Sequence, residues 1–269
     1  MAALLRWSIA PIFERLPTDY VAETNYTATW QAHQTPTAPT ENFESNVRRR
    51  DQTLTSGDGH SIIQSDMHWS TLAGMVIFEA RNLYGVDRRD RKNLSAYGDQ
   101  DRNGQYLFPP HTHQQSYQLW DSNYAGPCTV TFERVDQFRG IEVYVFNYVV
   151  DSMDESVSYA SLTDVPEKYR ALTNGHGRYW IEPVSGIVID HEDSGISYFV
   201  EPKSKQRVGK PIDQWRKRYT PDTIQAQLQL ATSQRRRAQA LEIWLPLSLL
   251  TAGLVWLAVG FFRPHRNVS

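Results

Sequence analysis

An apolar run lies near the C-terminus of this chain, at residues 243–262, with the sequence IWLPLSLLTAGLVWLAVGFF. The run contains no charged side chain, and about 20 residues at a rise of about 1.5 Å match a hydrocarbon core about 30 Å thick. Trp244 lies near one end, and Arg263 and Arg266 follow the other, as is typical where a helix leaves a bilayer. We therefore predict a transmembrane helix over 243–262. The competing interpretation is a buried core helix.

The remainder of the chain is polar, because the mean hydropathy of the whole sequence is -0.54 despite this apolar run. The formal net charge of -2 gives no indication of a nucleic-acid partner. The single cysteine, Cys128, excludes a disulfide within these residues, and we expect it to be a buried small side chain. A chain of 269 residues is long enough for one sizeable domain, which must be stabilised by its core.

Alternating polar and apolar residues predict a series of antiparallel strands before the membrane helix. The clearest pair is 129–136 and 141–150, and a second hairpin, 178–182 and 187–192, turns through a Gly-containing loop. Consecutive short strands favour antiparallel meanders over β-α-β units. We predict further strands at 24–32, 45–55, 61–71, 75–80 and 196–201, a hairpin turn at 57–59, a loop at 84–104 and a short helical segment at 166–172.

The pattern changes at Thr220-Pro221-Asp222, where Thr is a good N-cap, Pro suits the first helical position and Asp complements the helix dipole. No Pro or Gly interrupts the chain from there to Pro246, so we predict one long helix that continues into the membrane. The fold class is thus β-rich (α+β), an antiparallel sheet domain followed by a long C-terminal helix. The segments are an N-terminal apolar segment (1–16), the β-rich domain (17–219), a helical stalk (220–242), the membrane helix (243–262) and a tail (263–269).

The N-terminal segment, residues 1–16, has an apolar run that is broken by Arg6 and Pro11. It is too short to span a bilayer, and it lacks the charged region, long apolar core and small-residue cleavage site of a signal peptide. We expect either an interfacial segment or the end of a truncated membrane helix.

Five segments carry a family likeness. In chain order they are Leu16-Pro17-Thr18-Asp19, YLFPPHTHQQSYQLWDSNY from Tyr106 to Tyr124, GIEVYVFNYVV, RYWIEPVSGIVID, and RYTPDTIQAQ before the membrane helix. Because these segments occur in this order, the chain resembles the bacterial porin PorA-like family over nearly its whole length. The resemblance implies a membrane helix at each end with an extracytoplasmic domain between them, in the cell membrane, and a cytoplasmic tail over 263–269. It supplies no catalytic, cofactor-binding or pore residue.

Two clusters deserve consideration as metal sites. His111-Thr112-His113 places two imidazoles on one face of a strand, with Asp101 and Asp121 as further candidates. The acidic run Asp151, Asp154 and Glu155 offers oxygen ligands for calcium but lacks the spacing of an EF-hand. We favour a polar loop for the first and a solvated turn for the second, and predict no metal site.

No motif indicates catalysis, because the sequence lacks a G-x-S-x-G nucleophile turn and Gly-rich phosphate loops. We therefore predict that the chain is not an enzyme and has no catalytic residue and no cofactor. Residues 201–218 carry seven positive and two negative charges. The basic stretch 203–218 suggests anionic lipid or an envelope polymer as a partner, against the simpler interpretation of a solvated face.

These observations predict a non-catalytic, membrane-anchored envelope protein that binds or organises a lipid, a polymer or a protein partner. One alternative is a porin-like channel, in which the membrane helix lines a pore by homo-oligomerising through Ser248, Thr251 and Gly253. The other is a lipid-carrying domain, whose curved sheet shelters an apolar ligand among aromatic side chains. A large apolar cavity would favour the lipid carrier, and a filled core would count against it.

Overall fold

The computed structural model describes residues 14–120 and 126–261, with side chains described up to residue 257. The prediction for the N-terminal apolar segment therefore falls almost entirely outside the described residues. The same holds for Asp121, for residue 262 at the end of the predicted membrane helix, and for the tail at 263–269.

Ten strands form one antiparallel sheet that curls into a half-barrel. The spatial order is β4-β3-β2-β1-β10-β9-β8-β7-β6-β5, so two meanders meet where β1 pairs with β10. This confirms the predicted fold class of an antiparallel sheet followed by a long C-terminal helix. The strands are β1 Val21–Ala32, β2 Glu41–Ser56, β3 His60–Thr71, β4 Val76–Asp87, β5 Tyr117–Trp120, β6 Pro127–Phe138, β7 Ile141–Asp154, β8 Arg170–Glu182, β9 Ile187–Val200 and β10 Arg207–Tyr219.

The two faces of the sheet differ in burial, as the two-residue period of a strand requires. In β1, Tyr26 and Ala28 are buried whereas Thr27 and Thr29 are exposed. The same alternation runs through the neighbouring strands. We call the buried side the core face and the exposed side the open face.

Aromatic side chains fill the core face. Phe108, from the long segment between β4 and β5, packs its ring 5.2 Å from that of Phe146 and 5.6 Å from that of Tyr117. The Tyr179 ring lies 5.8 Å from the same Phe108 ring. Edge-to-face and tilted pairs at these separations are favourable beyond the area that they bury.

Two glycines allow large side chains to lie flat across the sheet. A Cβ on Gly177 would come within 2.5 Å of the Tyr148 hydroxyl, and one on Gly195 would come within 2.2 Å of the Trp215 ring. Tyr148 thus reaches across β8 to β9, and Trp215 covers β9. Any larger residue at either glycine would displace an aromatic ring of the core.

A long helix begins directly after the last strand. Helix α1, Pro221–Gln239, has Thr220 as its N-cap, and the Thr220 hydroxyl accepts a hydrogen bond from the Thr223 amide at 3.2 Å. The predicted start signal is confirmed. Ile224 and Ala231 are buried against the core face. This part of the predicted stalk therefore packs on the sheet and belongs to its core.

The helical chain continues through a π-helical turn, Ala240–Trp244, into helix α2, Leu245–Phe261. Within the described residues, one helix, Pro221–Leu257, is long and apolar enough to cross a membrane. Its large apolar side chains from residue 243 to 257 have exposed fractions of 40–77%. An apolar surface of this kind is unsuited to water, and the exposure argues against the interpretation as a buried core helix.

Several sequence predictions differ from the structure. The predicted loop at 84–104 begins too early, because β4 runs to Asp87 with Tyr84 and Val86 buried. No helix forms in the predicted helical segment at 166–172, which is a turn followed by the start of β8. Strands β5 and β10 were not predicted, although β10 joins the two halves of the sheet.

The packing of α1 predicts different effects for the same substitution at two positions of the helix. Ala231→Glu places a carboxylate at a site that is 0% exposed, and we expect the free energy of unfolding to fall by about 3 kcal/mol. Ala226→Glu, on the exposed side of α1, should change it by less than about 0.5 kcal/mol. Chemical unfolding of the full chain in detergent measures both. Equal losses would show that α1 does not pack on the sheet.

Candidate functional site

The open face carries a cleft of about 960 Å³. It crosses strands β2, β1, β10, β9, β8 and β7, a width of about 24 Å at about 4.8 Å per strand. Most of the residues that line it are polar or charged, and it opens to solvent. The sheet register brings these residues together: Thr27 pairs with Arg218, Arg218 with Glu192, and Glu192 with Arg178.

Arginine and glutamate thus alternate across the neighbouring strands β10, β9 and β8. Arg178 lies 3.6 Å and Arg218 lies 3.8 Å from the Glu192 carboxylate. Arg218 also forms a closer ion pair, 2.6 Å, with Asp190, and Arg178 is bound at 2.9 Å by Glu133. Both arginines are therefore largely neutralised by carboxylates of the protein.

Arg216 differs from these two arginines. It pairs across the sheet with Thr29 on one side and Ser194 on the other, and it is exposed in the cleft. Among the described residues no carboxylate lies within ion-pair distance of Arg216, although Glu44 of β2 lines the same cleft beyond Thr29. The neighbouring His176 is held by Ser194, whose hydroxyl lies 3.1 Å from the His176 Nε2 atom. Arg216, His176 and Ser194 form a polar group that can bind an anion.

Beneath the cleft, on the core face, lies a buried ion pair. The Lys217 Nζ atom is 3.4 Å from the Asp193 carboxylate, and the two side chains are 1% and 0% exposed. Asp193 also accepts hydrogen bonds from the Tyr148 hydroxyl at 2.7 Å and from the Trp215 indole at 2.8 Å. A buried charge with this many partners is satisfied within the protein. We assign the pair a structural role.

A second buried carboxylate, Asp213, has an unusual environment. Burial raises the pKa of its carboxyl to about 6, and hydrogen bonds from the Tyr159 hydroxyl and the Trp30 indole oppose that rise only in part. The carboxyl therefore stays protonated to a higher pH than an ordinary aspartate.

The basic stretch 203–218 is not one patch. Lys217 lies in the core, as described above, whereas Lys203 and Lys205 lie in the turn before β10. Arg207 stacks on the ring of Tyr198, with its guanidinium carbon 3.7 Å from the ring centroid. Strand β10 spans roughly 40 Å at about 3.3 Å per residue. The two turn lysines therefore lie at the end of β10 opposite to the start of α1.

The family model for Porin PorA matches residues 1–262. The chain belongs to the Porin PorA family. Family membership and the exposed apolar helix together indicate that this Porin PorA member associates with a membrane.

Two other comparisons add little. No curated protein matches the chain. A solved LolA superfamily protein from Nitrosomonas europaea is similar at 13% identity, with 81% of this chain and 91% of that chain covered and a TM-score of 0.16. A similarity at that score supports no conclusion about this Porin PorA chain.

Of the residues considered as metal ligands from the sequence, Asp121 lies outside the described residues, and the others do not form one group. The His113 amide donates a hydrogen bond to the Tyr117 hydroxyl, while His111 points to Glu14 and Glu242. Asp101 takes no part in this group. Sequence reasoning missed both glutamates, because they lie far from His111 along the chain and no local spacing connects them.

The acidic run lies at the end of β7, where Asp151 and Asp154 belong to the strand and not to the solvated turn that was expected. Asp154 binds Arg170 and the Ser156 hydroxyl, and buried Glu155 accepts a hydrogen bond from Thr173. These side chains are therefore engaged with protein groups. Cys128 is buried, as predicted.

The raised pKa of Asp213 predicts a pH-dependent effect of Asp213→Asn. A carboxyl with a higher pKa in the folded chain than its ordinary 3.8 makes the wild type lose stability as the pH rises from about 4 to about 6. The amide stays neutral and keeps an oxygen for Tyr159 and Trp30. We expect the unfolding free energy of the variant to gain up to about 3 kcal/mol relative to wild type between pH 4 and pH 8. Other groups titrate equally in both proteins, so a pH-independent difference would contradict this.

Proposed function

We propose that this chain is a non-catalytic, membrane-anchored protein of the cell envelope whose open-face cleft binds an anionic polymer. The observation that carries the proposal is Arg216, an exposed cation in a wide cleft with no carboxylate within ion-pair distance among the described residues. A partner with negative charges would complete its interactions. The proposal includes no catalytic step and no cofactor.

A polymer suits the shape of the cleft. The cleft is open and about 24 Å wide, as estimated from the strand spacing, whereas small-molecule sites usually enclose most of their ligand. Thr27 and Thr29 on one side and Asn147 on the other offer hydrogen-bonding groups along its width. An extended chain with repeated anionic and hydroxyl groups can contact several of them at once.

Lipid headgroups of the anchoring bilayer suit the basic residues less well. Lys203 and Lys205 lie at the end of β10 away from α1, and α1 leads toward the membrane helix. Within α1, Gln225 contacts Arg139 and Arg235 contacts Glu182, and both contacts lie at the end of β10 from which α1 begins. The turn lysines therefore support a partner located away from the membrane surface.

We place the sheet on the extracytoplasmic side and residues 263–269 in the cytoplasm. Support comes from the resemblance described above and from Arg263 and Arg266, which directly follow the apolar run. Arginines close to the end of a membrane helix favour the cytoplasmic side. Arg235, on the other side of the run, lies 3.9 Å from Glu182 of the folded domain, and charges within a large domain influence orientation less.

The polymer proposal predicts the effect of Arg216→Gln. With polyphosphate and polygalacturonate as probes, calorimetric titration of the full chain in detergent should show affinity reduced about tenfold, equal to about 1.4 kcal/mol for one lost charged contact. Arg50→Gln is the matched control, since Arg50 is exposed on the same face but does not line the cleft. Binding of polyphosphate would indicate recognition of phosphate groups, and binding of polygalacturonate would indicate recognition of carboxylates.

Three results would count against the polymer proposal. Wild type could bind neither probe, Arg50→Gln could weaken binding as much as Arg216→Gln, or binding could occur only to vesicles containing phosphatidylglycerol. The last result would favour the lipid partner.

A second candidate function is a channel, because the matching family model is described as Porin PorA. A single membrane helix could line a pore only within a homo-oligomer. The small and polar residues of α2 permit close packing, since Gly253 has open space around it. The Ser248 and Thr251 hydroxyls already donate to backbone oxygens of their own helix, so neither hydroxyl needs a neighbouring helix as a partner.

Conductance in planar bilayers tests the channel candidate. The full chain should produce discrete current steps, and a deletion of residues 243–262 should abolish them, because no other apolar helix of the described chain could span the bilayer. Absence of steps from the full chain at any protein concentration would exclude the channel. The lipid-carrying alternative has less support, because aromatic side chains such as Phe108 and Tyr179 pack against each other and fill the core.

A further inference from the structure

Three distant parts of the chain meet where the sheet joins the membrane helix. Glu14 precedes the first strand, His111 lies in the segment between β4 and β5, and Glu242 lies in the π-helical turn that leads into α2. The His111 Nε2 atom is 2.9 Å from a Glu14 oxygen and 3.1 Å from a Glu242 oxygen. Both carboxylates thus approach the same nitrogen atom.

The three side chains meet at the His111 Nε2 atom. A neutral or protonated imidazole offers a single N–H at Nε2, so only one of the two carboxylates can take that proton in a linear hydrogen bond. The Glu14 and Glu242 carboxyls also hydrogen-bond each other. A divalent ion at this point would replace the shared protons and contact all three ligand atoms at once.

The spacing of the three ligand atoms suits a metal ion. Ligands about 2.1 Å from a metal, at angles of about 90–110°, lie about 3.0–3.4 Å apart. The nitrogen–oxygen distances of 2.9 and 3.1 Å are close to this range, and all three ligand atoms lie within 4.8 Å of one another. Small movements of the two glutamates would admit an ion.

The histidine is held firmly in place. The His111 amide donates to the Val184 carbonyl at 3.0 Å, and the Thr112 amide donates to the Pro183 carbonyl at 2.8 Å. The Thr112 hydroxyl also donates to Pro109 at 2.7 Å. The loop that carries His111 is therefore docked on the β8–β9 turn, so the imidazole is presented by the rigid part of the fold.

We propose that Glu14, His111 and Glu242 bind a divalent transition metal ion such as Zn²⁺ at this junction. One imidazole nitrogen with two carboxylate oxygens is a ligand set for ions of this class. The side chains of His111, Glu14 and Glu242 are 43%, 20% and 23% exposed, which leaves room for water ligands. The bound ion joins the N-terminal segment, the sheet and the membrane helix, and so restrains the domain relative to its anchor.

The test uses the tag-free full chain in detergent, stripped with a chelator and titrated calorimetrically with ZnCl₂. We expect one ion per chain, and we expect His111→Gln to weaken binding by at least about tenfold. His113→Gln is the matched control, because His113 is an exposed histidine two residues away that is not part of the group. Equal losses in the two variants, or no saturable binding by wild type, would overturn the proposal.

A second measurement separates metal binding from folding. Zn²⁺ should raise the unfolding temperature of wild type, since an ion that binds only the folded chain stabilises it. Glu242→Gln, close to glutamate in shape, should unfold at the wild-type temperature without metal and show at most a small rise with it. An equal rise in both proteins would overturn the assignment. Co²⁺ titration gives an independent readout, because its visible absorption should change on binding in wild type but not in His111→Gln.

Discussion

The pairing of β1 with β10 determines the shape of the sheet, the start of α1 and the position of the cleft. It joins a meander from the first part of the chain to one from the last part, with Tyr26 opposite Tyr219. The Thr220 amide donates to the Asn25 carbonyl, and the Asn25 amide donates to the Thr223 hydroxyl. The same contact that completes the sheet therefore sets the start and direction of α1. It also places Thr27 and Thr29 beside the arginines of β10, which creates the cleft.

Buried polar groups secure the register of this central pairing. Lys217 is accommodated on the core face because Asp193 of β9 lies beside it, and Asp193 in turn accepts hydrogen bonds from Tyr148 and Trp215. A slip of β10 by one residue would turn Lys217 to the open face and move the exposed Arg216 or Arg218 into the core. Leaving a charge buried without its partner is strongly unfavourable. The ion pair thus selects one register, even where its net contribution to stability is small.

Helix starts and hairpin turns could be predicted from the sequence, because both are determined by a few consecutive residues. The start of α1 was found from Thr220 and Pro221, because a helix cap is satisfied within four residues. The hairpins at 57–59 and 183–186 were found from their turn residues. Strand β10 was missed because charged residues fall on both of its faces, so it lacks the alternation that identifies a strand. The group of Glu14, His111 and Glu242 gave no signal, because its members come together only through folding.

Residue type and spacing along the chain are enough to specify a β-rich domain and an apolar helix that suits a membrane. Which charged side chains face solvent and which are neutralised depends on contacts that form only when the chain folds. Arg216 and Lys217 are neighbours with the same charge, yet one faces solvent in the cleft and the other is buried against Asp193. The reason is that strand geometry sends successive side chains to opposite faces, and the partners on those faces come from segments far away in the chain.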